Sequence, residues 1–416
     1  MNKIRVSIQL ALHTLKLNLS RSLLTILGIT VGISMVVIVL SAGSGLKGII
    51  LDQISGFGNN WINIEVKVPD TGKNSQENGN AQASGVVITT LTEQDMEALK
   101  KLPNITNAYA GLTSQGVISY GDQVKRSMIF AVSPSYPDIN KGEVEQGRFF
   151  TEEENRAVSN VVVLGQGVAE DIFGQNNPVG KFVRIEKNNY QVVGVMEKLG
   201  NGGFLDMDQI MYVPLRTVQK KIMGINHVSW IVAEAKEGSD SLDTAEEIRA
   251  VMRERHKITD PNKDDFSVTT QEEAAAIVGT ILVGVTGLLI ALSCISLLVG
   301  GVGIMNVMYV SVAERTFEIG LRKSAGATTS DILWQFLVEA VVLTIFGGVL
   351  GVLIGISISF LISVVANLLG FAWEFDISLF SLILSTGFST VVGILFGLYP
   401  AKKAASLDPM VAIRQE

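Results

Sequence analysis

The sequence predicts an α-helical membrane protein with four transmembrane helices plus a mixed α/β extracytoplasmic domain of two subdomains. Three observations carry this prediction. Four stretches free of Asp, Glu, Lys and Arg reach the roughly 20 residues a helix needs to cross hydrocarbon: Ser22 to Leu46, Ala274 to Ala313, Ala340 to Trp373 and Ile377 to Ala401. Basic residues gather at one set of span ends and not the other. The segment between the first two spans, Lys47 to Glu273, is richly charged, with 23 basic and 32 acidic residues. Of the 416 residues 47% are hydrophobic, and the mean hydropathy is +0.37. That excludes a disordered chain and points to the membrane.

The N-terminal segment, residues 1–21, carries Lys3, Arg5, Lys16 and Arg21 and no acid. Its apolar positions over 5–20 predict an amphipathic helix on the inner membrane surface, with membrane lipids as expected contacts; the alternative is a plain basic flank to the first span. The first span, 22–46, contains Ser41-Ala42-Gly43, which resembles a signal-peptide cleavage site. Its apolar run is too long for a signal-peptide core of about 7–15 residues, so the span is predicted to be retained. Leu46, Ile49, Ile50, Leu51 and Ile54 keep the apolar spacing and predict that the helix projects beyond the bilayer.

Residues 47–273 form the predicted extracytoplasmic domain. Ile62 to Val66 alternates as a strand does, Asp70 to Gly85 reads as a polar loop, and Thr92 caps a helix through Leu102. Strand patterns follow near Ala108 to Tyr120. Val228 to Ala235, Asp243 to Arg255 and Phe266 to Thr269 repeat the strand–helix–strand cycle. Two such cycles predict one subdomain built from both ends, with a second inserted at about 142–223. The insert shows strands at Val161 to Leu164, Phe182 to Ile185 and Tyr190 to Met196 and a short helix at Val168 to Phe173. A net charge of −9 over the whole domain argues against a nucleic-acid partner.

The second span, 274–313, is forty residues without a charge. As a helix it would be about 60 Å long, twice the hydrocarbon thickness. The loop at 314–332 is short and charged. Glu318 and Arg322 stand at i,i+4 with the acid first, which favours a helix. Phe317 and Leu321 form an apolar stripe, Gly326 suits a left-handed helix end, and Thr328 or Thr329 caps the helix leading into the third span, 333–373. A helix held in this way can dock into a groove on a partner, or it can be a plain basic loop. The fourth span, 377–401, leads to a basic tail, 402–416. Arg315, Arg322, Lys323, Lys402, Lys403 and Arg414 place the loop, the tail and hence both termini in the cytoplasm.

Glycine spacings mark helix faces where backbones approach closely: Gly28 and Gly32; Gly347, Gly351 and Gly355; Gly393 and Gly397. Cys294, the only cysteine, sits in mid-span, so the extracytoplasmic domain has no disulfide. Catalytic and metal-binding signals are missing from the pattern. His13, His227 and His256 are far apart, there is no HExxH and no GxSxG, and Asp206-Met207-Asp208 is too common a triplet to indicate a metal-dependent transferase.

The loop from Glu314 to Thr328, the tail Tyr399-Pro400-Ala401-Lys402-Lys403-Ala404-Ala405-Ser406-Leu407-Asp408-Pro409 and the start Arg21-Ser22-Leu23-Leu24-Thr25-Ile26-Leu27-Gly28-Ile29 resemble the MacB/FtsX-like permeases of ABC transporters. So do Gly147-Arg148-Phe149-Phe150-Thr151, Asn177-Pro178-Val179-Gly180-Lys181 and Tyr212-Val213-Pro214-Leu215. The resemblance covers nearly the whole chain apart from 70–85. It implies a homodimer in the bacterial plasma membrane, with Glu314, Arg315, Phe317, Glu318, Leu321, Arg322, Lys323 and Gly326 contacting an ABC ATP-binding subunit. It further implies that ATP-driven movement of the spans drives the external domain for export or efflux, with a membrane-fusion adaptor as a further expected partner. The alternatives are extraction of lipoproteins or lipids, and activation of a cell-wall hydrolase without transport. Glu339, near the start of the third span, pairs with a neighbour, faces the ATPase side, or lies exposed at the interface. Some relatives carry the ATPase on the same chain. Here Gly174 to Lys181 has the wrong P-loop spacing, with Phe182 where Ser or Thr would hold Mg²⁺. ATP and Mg²⁺ are therefore expected on a separate subunit, with no cofactor on this chain and no enzyme activity of its own.

Overall fold

The computed structural model describes residues 19–56, 60–69, 88–140, 142–198, 206–369, 371 and 373–414. Apart from its last two residues, the surface helix expected over 5–20 lies outside this set, as does the whole of the loop expected over 70–85. The chain divides into two compact units. One comprises residues 1–48, 279–368 and 372–416, and the other comprises 49–278 with 369–371.

In chain order, α1 is Leu19–Gly56 and β1 Trp61–Val66. Helix α2 (Glu93–Leu99), β2 (Ile105–Tyr120), β3 (Gln123–Val132), α3 (Tyr136–Ile139) and β4 (Val144–Gly147) follow. Next come α4 (Glu152–Arg156), β5 (Val161–Leu164), α5 (Gln166–Phe173), β6 (Phe182–Ile185), β7 (Asn188–Met196) and β8 (Ile210–Pro214). The sheet unit closes with α6 (Leu215–Thr217), β9 (Trp230–Ala235), α7 (Ser241–His256) and β10 (Phe266–Thr270). Five helices complete the chain: α8 (Gln271–Glu314), α9 (Thr316–Ser324), α10 (Thr329–Leu368), α11 (Leu379–Ala405) and α12 (Pro409–Arg414).

The strands form one sheet in the order β10-β1-β9-β2-β3-β8-β5-β7-β4, with β6 on β2 and β7. Strands from both ends of the segment interleave: β1 lies between β10 and β9, antiparallel to each. The stretch 142–223 adds β4 to β8 to this same sheet through the parallel β3–β8 pair. The expected outer part and insert are thus adjacent halves of a continuous sheet, not two separate sheets.

Side-chain parity explains the layering. Successive strand residues point to opposite faces. Ile62 and Ile64, Ala108, Ala110 and Leu112, Ile129 and Ala131, Met211 and Val213, Ile231 and Ala233 fall in one core with α2, α5 and α7. Their odd or even neighbours, Trp61, Tyr109, Phe130, Tyr212 and Val232, fall in a second, aromatic core on the other face. The helix expected from Thr92 through Leu102 is shorter than its apolar pattern. Thr92 caps it with Asp95 in a reciprocal box, and it ends at Leu99. Pro103, four residues on, disfavours helical geometry at the residue before it.

Four helices of the described residues are long and apolar enough to cross a membrane: Ile26–Asp52 of α1, then α8, α10 and α11. The chain is a membrane protein. Helix α10 stops at Leu368, short of the charge-free run's end at Trp373. The Asn367 side chain donates to the Trp373 carbonyl and accepts from its N–H, each at 3.0 Å, which turns the chain back.

Candidate functional site

Helix α9 begins one residue after α8. The backbone bends at Arg315 (φ −105°, ψ 15°), and the Arg315 carbonyl accepts the Ile319 N–H at 3.0 Å. Glu318 lies in the first turn and Arg322 and Lys323 in the last, matching the helix dipole. The helix ends in a Schellman motif. Gly326 takes φ +97° as expected, its N–H donates to Lys323 O, and the Ala327 N–H donates to Arg322 O, both at 3.0 Å. Thr328 then caps α10 in a reciprocal box with Asp331.

The eight residues expected at this site divide by direction. Phe317 and Leu321 are 50% and 56% exposed, with Glu314 exposed one turn earlier, whereas Ile319 and Gly320 between them are buried inward. The cations turn back on the chain. Arg322 donates to Glu318 at 2.5 Å and to Gln335 Oε1 at 2.7 Å. Lys323 Nζ donates to the Ala405 and Leu407 carbonyls at 2.6 and 2.7 Å, satisfying backbone groups that the end of α11 leaves open. Arg315 lies 3.4 Å from Glu339, whose side chain is 1% exposed. Glu339 is thus a buried, paired acid, and the exposed interfacial alternative is ruled out. The result is a rigid knob showing two large apolar side chains.

All seven expected packing glycines meet a neighbouring helix of the same chain. A Cβ on Gly28 would lie 3.0 Å from Gly300, and one on Gly32 2.7 Å from Leu297, both on α8. Gly347, Gly351 and Gly355 of α10 face Ile29, Thr30 and Val37 of α1. Gly393 and Gly397 of α11 face Thr344 and Ala340 of α10. The sequence reading missed how far the α11 face extends. Ser381, Ser385, Ser389, Gly393, Gly397, Ala401 and Ala405 are all buried and fall every fourth residue. Serine is as small as alanine, and Ser385 and Ser389 bond carbonyls of their own helix, so the signal was available at that spacing.

The remaining sequence candidates are structural. Gly174, with φ +60°, ends α5, and Gly180 has φ +85°, so 174–181 runs from helix to strand. A phosphate loop needs the reverse, from strand to helix. Asp206 caps a single turn of 3₁₀ helix, accepting from the Asp208 N–H. Among the described residues no group of three or more His, Cys, Asp and Glu is placed to hold a metal. Cys294 is half-buried in α8, and His13 lies outside the described residues.

Comparison with known proteins adds the family. Residues 22–251 match the family model of the MacB-like periplasmic core domain, and 275–409 that of the FtsX-like permease C-terminal region. The macrolide export ATP-binding/permease protein MacB of Bdellovibrio bacteriovorus is 36% identical over 406 residues, covering 97% of this chain and 61% of that protein. The chain thus spans about three fifths of that relative's length. An uncharacterized ABC transporter permease, YknZ of Bacillus subtilis, is 33% identical over 410 residues, covering 99% of both chains. Among solved structures, the periplasmic region of MacB from Actinobacillus actinomycetemcomitans aligns with a TM-score of 0.45 and 24% identity, over 56% of this chain and 97% of that one. With both halves matched in order and a full-length relative at this identity, the chain belongs to the MacB/FtsX-like family of ABC transporter permeases.

Proposed function

We propose that this chain is the permease subunit of an export complex, working as a homodimer with a separate ATP-binding subunit that docks on α9. The observation that carries this reading is the knob itself: Phe317 and Leu321 stand exposed on a helix that Arg315, Arg322 and Lys323 tie back to the rest of the chain. The positive charge of the loop and tail supports a cytoplasmic position for this end and an extracytoplasmic one for residues 47–273. Helices α1 and α8, of 38 and 44 residues, are about 57 and 66 Å long at 1.5 Å per residue, well beyond the roughly 30 Å of hydrocarbon. In the proposed cycle ATP closes the ATPase pair, α9 moves with it, and the long helices carry the motion outward. The name of the MacB relative, a macrolide exporter with its own ATP-binding part, supports export and an ATPase in the complex.

The test is co-purification of the full chain with its ATP-binding subunit. Phe317→Asp/Leu321→Asp should cut recovery of the ATPase more than tenfold while the protein keeps its melting temperature. Undiminished recovery would remove α9 as the docking element. Arg322→Glu and Lys323→Glu are less informative, because both side chains hold the loop together.

A further inference from the structure

The aromatic face of the sheet is hollow. Over β1, β9, β2 and β3 it holds a cavity of about 510 Å³, open on one side. Its walls include Trp61, Trp230, Tyr109, Phe130 and Tyr136. That volume lies within the roughly 300–1,000 Å³ of small-molecule sites. Among the described residues that line it, one carries a formal charge, the exposed Glu65. Glu65 pairs directly across from Trp230 in the β1–β9 register, and its Oε1 accepts from Asn63 at 2.6 Å.

The site is built, not left over. Gly111 lies opposite Trp230 on β2, and a Cβ there would come within 2.6 Å of the indole. A glycine at that point lets the ring lie across the strand and floor the cavity. Trp61 is fixed by its Nε1–H, which donates to the Ile54 carbonyl at 2.9 Å. Ile54 lies in the last turn of α1, where carbonyls have no partner within the helix, and its side chain forms one wall. Phe130 packs against both Trp230 and Tyr212, with ring centroids 5.8 and 6.1 Å away. A ligand here would therefore bear on the end of α1 as well as on the sheet.

The geometry points to a binding site for an amphiphilic organic cation, its apolar body among the aromatic rings and its ammonium or iminium group between Glu65 and the indole of Trp230. Aromatic faces attract cations, most strongly at Trp and when water is excluded. The single carboxylate at the rim sets the sign of the charge and disfavours an anion of the same shape. This inference goes beyond the docking reading and does not depend on it, since no residue of α9 takes part.

The test uses the full chain in phosphatidylcholine nanodiscs, with empty nanodiscs as the blank. Three fluorescent probes are compared: rhodamine 6G (cationic), N-phenyl-1-naphthylamine (neutral) and 1-anilinonaphthalene-8-sulfonate (anionic). Saturable rhodamine 6G binding is expected, weakened at least tenfold by Glu65→Lys and by Trp230→Ala. The neutral probe should change less than twofold in Glu65→Lys and weaken in Trp230→Ala. Glu65 is exposed, so its replacement leaves the fold intact even where Trp230→Ala destabilises. Rhodamine binding no greater than to empty nanodiscs, or within twofold of the parent in Glu65→Lys, would overturn the assignment. So would binding of the sulfonate as tight as that of the cation.

Discussion

Arg315 and Glu339 stand 24 positions apart and meet at 3.4 Å, with Glu339 almost wholly buried. Removing the guanidinium takes away one of the interactions that hold the buried Glu339 charge, a loss of up to about 3–5 kcal/mol for such a pair. Arg315→Ala should therefore lower the melting temperature of the detergent-solubilised protein sharply, and adding Glu339→Gln should restore most of it. If the double variant melts no higher than Arg315→Ala, the two charges are not coupled. A second buried cluster lies in the sheet unit. His256 Nδ1 is 2.8 Å from Asp265, and its Nε2 is 3.5 Å from Asp95, which also accepts from Arg255 at 2.7 Å. The facing Asp95 carboxylate raises the His256 pKa against an opposing push from burial, with Asp265 adding to the rise. Burial pushes Asp95 up, but the facing His256 and its bonds from Thr92 and Arg255 win and hold it well below the usual carboxylate range. A raised histidine pKa stabilises fully below the unfolded value of about 6.5 and loses that stabilisation as pH climbs through the folded value. A depressed aspartate contributes above about 3.9 and is lost only at lower pH. The cluster is therefore strongest between about pH 4 and 6.5. Melting temperature should fall from pH 6 to 8, and His256→Gln should flatten that slope. An equal slope in the variant would assign it to other groups.

At the scale of elements, close helix approach makes a sharp contrast among glycines. A Cβ on Gly351 would come 2.8 Å from the Thr30 carbonyl, a backbone atom that cannot swing aside. Overpacking of this kind costs about 1–3 kcal/mol, so Gly351→Ala should destabilise the protein by that amount. Gly387, in α11, has open space around it, and Gly387→Ala should be neutral or gain up to about 1 kcal/mol in helix propensity. Thermal unfolding of the two variants side by side checks the pair. Much of this level was legible beforehand. Four charge-free runs located the spans, Gly326 and Thr328 located the ends of α9 and α10, and the alternation of Ile62, Ile64 and Val66 located β1. What was hidden depended on distant partners. Strands β3, β4 and β8 were not read, because β3 begins with polar residues at a hairpin tip and β4 offers only Val144-Glu145-Gln146-Gly147. The aromatic cavity was hidden for the same reason, since Trp230 comes opposite Glu65, on the face that carries Trp61, only through the β1–β9 register. The Glu318–Arg322 pair was legible from its i,i+4 spacing. The contacts of Arg322 with Gln335 and of Lys323 with the Ala405 and Leu407 carbonyls were not, because no local pattern brings those groups together.

At the scale of the whole molecule, the proposed mechanism rests on α8 behaving as an unbroken rod. It runs 44 residues with no proline, and Gly284 lies within it with no neighbour close enough to crowd a side chain. Proline at that position would remove one backbone hydrogen bond and clash with the carbonyl four residues earlier, a local cost of about 3 kcal/mol that kinks the helix. Because the site is open, the kink meets no steric obstacle, and α9 lies 32 residues further along the chain, with its own anchors intact. Gly284→Pro should therefore separate two steps that normally go together. The ATPase should still co-purify, since Phe317 and Leu321 are untouched. The response beyond the kink should fail. It can be read from an environment-sensitive fluorophore on Val124→Cys, an exposed position of β3, in a Cys294→Ala background. In the parent, ATP added to the assembled complex is expected to change the label's emission. In Gly284→Pro the change should vanish, while Gly284→Ala, which leaves the helix straight, should keep it. A full response in the proline variant would mean that motion reaches residues 49–278 by a route other than α8.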